Sequence, residues 1–202
     1  THLIGTESAA TTRDNIFWGI AMTSNMRVIP VSALFDQDKS PTREAHTHFF
    51  SDPGNAAGDP GTVATLSDGT TLICYEGVGE IAVGRYYPYG FRRIPVGQHP
   101  AAVAVSPDEK TIYVANSHSD SISVVRVAER ANVGEIALGI RPGGQSGRQG
   151  EITSLRPLFT QYTPLTNSTL AEEGERLFYN ARLSLDGWFS CHSCHTDGHS
   201  NG

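Results

Sequence analysis

Cys191 and Cys194 lie three positions apart near the carboxyl end of a 202-residue chain, and His195 follows at once. In a C-x-x-C-H run both thiols can add to the vinyl groups of one haem, and the histidine beneath the porphyrin can offer its imidazole to the iron. The run predicts one covalent haem c in this segment, with Cys191 and Cys194 carrying the thioethers and His195 as the proximal metal ligand. Three other chemistries use similar residues. Cys191, Cys194, His195 and His199 make a Cys₂His₂ set for zinc, but such sites usually place a folded element between the ligand pairs, and here all four fall within nine residues. A redox-active C-x-x-C expects a preceding strand, whereas the residues before Cys191 have a helical period. A Cys191–Cys194 disulfide would close a short, strained loop with little gain in chain entropy. No residue is assigned a catalytic role.

The elements that must position the motif begin at Thr169-Leu170-Ala171-Glu172, a capping box in which hydroxyl and carboxylate satisfy the first free amides of a helix. Leu170, Gly174, Leu177, Phe178 and Ala181 recur at helical spacing as one apolar stripe, and Glu172, Glu173 and Glu175 complement the helix dipole. Gly174 on that stripe predicts close approach of another helix or of a haem edge. Asp186-Gly187 marks a turn before Trp188 and Phe189, which can cover haem or fill a core. His192 occupies a spacer position expected to face outward, and His199 is near enough in sequence to meet a haem propionate. Met22 and Met26 are read as packing residues, so a distal iron ligand is expected from outside these residues or from another chain.

A weak repeat of about forty residues runs through the first two-thirds. Val63 to Gly69 is similar to Val103 to Glu109; strands follow at Thr71 to Tyr75 and Thr111 to Ala115, then at Glu80 to Gly84 and Ser121 to Val127. A degraded copy begins at Gly19-Ile20-Ala21-Met22 and continues through Val28 to Val31. Short strands at this period predict propeller blades. The fold class is therefore mainly β: a partial β-propeller of about three blades, followed by a small α-helical c-type cytochrome segment. Its open sheet edges predict self-association. Residues 1–140 are assigned to the propeller, 141–168 to a Gly/Pro-rich linker and 169–202 to the haem-binding segment. Cys74, inside an apolar run, is expected to be buried and inert. His46 and His48 sit at strand spacing without an evident third ligand, and His99 and His118 fall at repeat turns, where loop hydrogen bonding is expected.

Composition narrows the classes. Hydrophobic residues make up 38% and charged residues 18%, as in folded chains, and the net charge of −6 argues against nucleic acid and anionic membranes. No apolar stretch reaches the ~20 residues of a membrane span.

Ile112-Tyr113-Val114-Ala115-Asn116, after the Ser106-Pro107-Asp108 turn, resembles the YVTN-type β-propeller repeat, with Ile94 to Gly97 and Gly134 to Gly139 resembling its flanking strands. Gly174 to Tyr179, Leu183-Ser184, Asp186-Gly187-Trp188, Ser190 and the Cys191 to His195 motif resemble the start of the di-haem cytochrome c peroxidase/MauG-like family. The resemblances imply electron transfer within a di-haem oxidoreductase, a bacterial periplasmic or otherwise extracytoplasmic setting, and a second haem in further sequence. Expected partners are a small redox protein, either a cytochrome or a cupredoxin, and the rest of the polypeptide or another copy of the chain. With one attachment motif, residues 1–202 by themselves are expected to show weak or no peroxidase turnover. The alternative is a propeller that binds or scaffolds, with the haem as a single electron relay.

Overall fold

Alternation of apolar and polar residues between tight turns produces three antiparallel sheets. The computed structural model describes residues 2–5, 8–38, 40–85, 90–138 and 169–199. The first sheet has three strands, β1 (His2–Gly5), β2 (Met22–Val28) and β3 (His46–Phe49), in that order. The second and third are four-stranded meanders. One runs β4 (Pro60–Thr65), β5 (Thr71–Tyr75), β6 (Glu80–Arg85) and β7 (Gly90–Pro95); the other runs β8 (Pro100–Val105), β9 (Thr111–Asn116), β10 (Ser121–Arg126) and β11 (Ala131–Ala137). This is a mainly β, partial propeller, as the repeat predicts. The repeated aspartates close equivalent turns: Asp68 accepts from the Thr70 amide at 2.8 Å and Asp108 from the Lys110 amide at 3.2 Å.

The two four-stranded sheets pack face to face. Leu72, Cys74, Ile81, Val83 and Ile94 of one interleave with Ile112, Val114 and Val125 of the other, all buried. Cys74 is fully enclosed there, and burial pushes its thiol up to about 12, so it remains a small apolar residue.

Strand register shows that the far side of the third sheet repeats this packing surface. In the second sheet, Ala64 lies opposite Leu72 and Leu72 opposite Val83, while Cys74 lies opposite Ile81 and Ile81 opposite Ile94. The same rows in the third sheet read Ala104–Tyr113–Val124 and Ala115–Ile122–Ile136. Every member is again apolar, yet Tyr113 is 40% and Ile136 49% exposed. The apolar surface that favours association is therefore a sheet face as well as an edge. A chain with Tyr113→Asp and Ile122→Asp should stay monomeric in sedimentation velocity where the native sequence associates. Equal association of the two would place the contact elsewhere.

The structure departs from the expected elements in two places. The degraded copy does not continue as strand through Val31. Met22–Val28 is one strand, and the chain then turns into the helices α2 (Val31–Phe35) and α3 (Pro41–Glu44), after the earlier short helix α1 (Arg13–Phe17). Pro30 stands at the N-cap of α2 and Pro41 in the first turn of α3, where a missing amide costs no helix hydrogen bond. In α4 (Leu170–Phe178), Thr169 and Glu172 form both halves of the capping box, but the predicted apolar stripe holds only toward its end, where Leu177 and Phe178 are half-buried and Ala181 is buried. Leu170 is 93% exposed and the buried residue is Arg176. Gly174 faces open space, with no other helix packed against it. Trp188 is 1% exposed over Gly19, which assigns it to the core. The expected linker at 141–168 lies outside the described residues.

Candidate functional site

Asn180 caps a 3₁₀ turn at Ala181–Leu183, and Ser190 caps α5 (Cys191–Cys194) through a second capping box with Ser193. These short turns hold the C-x-x-C-H run against the ends of the second and third sheets. Ala181 is the innermost residue of the seat: a Cβ on Gly58 or Gly77 would collide with its methyl group. Both positions must therefore be glycine for the segment to approach this closely.

Charged side chains fasten the same contact. Glu80, fully buried, accepts from Arg93 Nε at 2.5 Å and from Arg182 Nη2 at 3.1 Å. Arg93 also donates to the carbonyls of Asn55 and Ala56, at 2.5 and 2.8 Å, and Arg182 to the Val78 carbonyl at 2.5 Å. Arg176 Nε donates to Gln98 Oε1 at 2.7 Å and its Nη1 to Glu173 at 3.1 Å. The Ser193 hydroxyl donates to the Asp59 carboxylate.

The motif residues divide between two sides. Cys191, Cys194 and His195 are exposed, with both thiols free on one helical turn. The Nδ1–H of His195 donates to the His199 carbonyl at 3.1 Å, which orients the ring and leaves Nε2 outside that bond. Two free thiols on one turn beside an oriented imidazole are the donor set that a covalently held haem requires, so these residues fit that group. Among the described residues there is no cluster of three or more His, Cys, Asp or Glu arranged to hold a metal ion by themselves.

His192 turns the other way, contrary to the outward spacer position expected from sequence. It is half-buried, and its ring lies 4.5 Å from that of Tyr179. Tyr179 in turn meets His99 at 4.8 Å and His118 at 5.3 Å, and the two imidazoles stack at 4.3 Å. His99 also has its expected loop hydrogen bond, Nδ1 to Ser117 Oγ at 2.8 Å, but its main role is in this ring stack. Its pKa is lowered, chiefly by burial and next by His192. His99 Nε2 faces Glu76 at 3.7 Å, and His118 Nε2 faces Glu175 at 3.7 Å. The Glu76 carboxyl fills the notch left by the missing side chain of Gly61, and burial pushes it up to about 7.

Sequence reasoning missed Asp59, Glu76, Glu80, Arg93, Arg176, Tyr179 and Arg182. One signal was available: a glutamate, Glu80, opening a buried strand. The histidines at 46 and 48 are separate from the site. They lie on β3, where burial and then His46 lower the pKa of His48.

Comparison with known proteins gives a likeness of fold. No family model and no curated protein matches. Among solved structures, Kuenenia stuttgartiensis hydrazine synthase superposes with a TM-score of 0.52 at 21% identity, over 63% of this chain and 41% of that one. The chain thus spans less than half the length of that structure.

Proposed function

We propose that this chain is a c-type haem protein for electron transfer, a propeller-mounted portion of a di-haem peroxidase/MauG-like oxidoreductase working in an extracytoplasmic compartment. The observation that carries the reading is the exposed pair of free thiols on α5 beside His195, with its Nδ1 already committed to the His199 carbonyl. When bound, the haem supplies a one-electron couple. The chain's own residues do the rest. Cys191 and Cys194 tether the group, and His195 presents Nε2 to the metal. The His199 carbonyl orients the ring. The Ala181 seat and the Arg182–Glu80–Arg93 ion group hold the whole segment rigidly on the sheets. The second reading, a propeller that binds a partner while the haem relays electrons, is favoured by the open Tyr113/Ile122/Ile136 face.

Expression in a host competent for cytochrome c maturation, followed by denaturing electrophoresis and haem staining, tests the attachment. The band should keep peroxidase-type stain, and its intact mass should exceed that of the chain by one haem. A colourless band at the bare chain mass would overturn the reading.

A further inference from the structure

The inner side of the attachment turn carries a connected set of titratable groups that tethering and iron ligation leave unused. Asp59 accepts from Ser193 inside the motif, and His192 of the motif lies on Tyr179. Tyr179 edges His99, and His99 faces Glu76 across 3.7 Å. The Glu76 side chain is 21% exposed and that of His99 16%, so both sit at the rim of the contact, within reach of solvent protons. Glu76 occupies a cradle that only glycine at position 61 leaves open.

We propose that Glu76 and His99 form a proton-exchange site on the propeller side of the attachment turn, loading one proton when the protein accepts an electron and releasing it on reoxidation. The inference rests on the haem reading above. The balance is simple: one electron enters from an external one-electron donor protein, and one proton from solvent converts the Glu76 carboxylate to the acid. Both leave when an acceptor reoxidises the protein.

The physical reason is charge compensation in a desolvated contact. Were a haem held at Cys191 and Cys194, its reduction would remove one positive charge from this contact and so raise the proton affinity of the Glu76 carboxylate. The surroundings set the working range. Burial pushes Glu76 up to about 7, with Asp59 adding to the rise and the Thr62 amide opposing it. His99 is driven toward its neutral form by burial and by His192, against the pull of Asp59 and Glu175. Near neutral pH the proton thus exchanges on the carboxyl beside a neutral imidazole. The other groups on this contact are His118, paired with Glu175, Tyr179, and Arg176, which reaches Gln98 beside His99.

Two measurements test it. In the haem-loaded protein, the midpoint potential should fall as pH rises over about one unit on either side of 7. Glu76→Gln should flatten that slope, and the remote control Glu109→Gln should keep it. A flat native profile, or an unchanged slope in Glu76→Gln, overturns the proposal while leaving the haem reading intact. In the haem-free protein, a folded pKa above the ordinary 4.5 means that the native state holds its proton longer than the unfolded chain. The contribution of Glu76 to stability should then decline as pH rises from 4.5 to about 7, so the native profile should fall relative to that of Glu76→Gln over this range. A Glu76→Gln profile parallel to the native one overturns the proposal. Haem staining of the same preparations is read separately, and loss of covalent haem would overturn both conclusions together.

Discussion

Cys191→Ala combined with Cys194→Ala should abolish haem staining of the denatured band, because both covalent links are lost together. Each single variant should keep one thioether at most and attach haem in strongly reduced yield. Cys74→Ala should leave staining unchanged, since that thiol is fully buried in the sheet interface with its pKa pushed up to about 12. Together these variants separate attachment from folding. Both motif cysteines are exposed, so their loss removes little packing, whereas the Cys74 change touches only packing. Staining that survives in the double variant would show that the pigment is not held by thioethers.

Glu80→Ala should cost about 3–5 kcal/mol in denaturant unfolding, the range for breaking a buried ion group by removing one partner. Glu80 has no solvent exposure and stands between Arg93 and Arg182, so its removal leaves two guanidinium groups facing each other in the contact. Arg182→Ala should cost less, because its side chain is 37% exposed and water can replace part of the bond. The same substitution should loosen the 169–199 segment selectively, increasing amide exchange there more than in β5 and β6. A Glu80→Ala loss below about 1 kcal/mol would show that the group is not what fastens the segment.

Much of the scaffold was legible in the chain because its signals are local. Strands β5, β6, β9 and β10 lie within two residues of their expected limits, since alternation and Asp-centred turns act over a few residues. The Thr169 capping box formed for the same reason, as its two hydrogen bonds join residues only three apart. The C-x-x-C-H run is equally local, and its order alone specifies the attachment chemistry expected of Cys191, Cys194 and His195.

Tertiary structure decided which side of that motif faces the propeller and what meets it there. Arg182 reaches Glu80 across 102 positions and Ser193 reaches Asp59 across 134, separations at which residue spacing carries no information. The helix stripe misled for a related reason. Helical periodicity marks which residues share a face, but Leu170 lies beyond the edge of the sheet ends while Arg176 finds Gln98 and Glu173 beneath it. His192 turned inward because Tyr179, His99 and His118 offer a ring stack there, and those rings come from three separate parts of the chain. Sequence by itself determined the sheets and the attachment motif. Only the packing of the segment onto the sheets could place a carboxyl, an imidazole and a phenol behind it, because burial and proximity between distant residues exist only once the chain is folded.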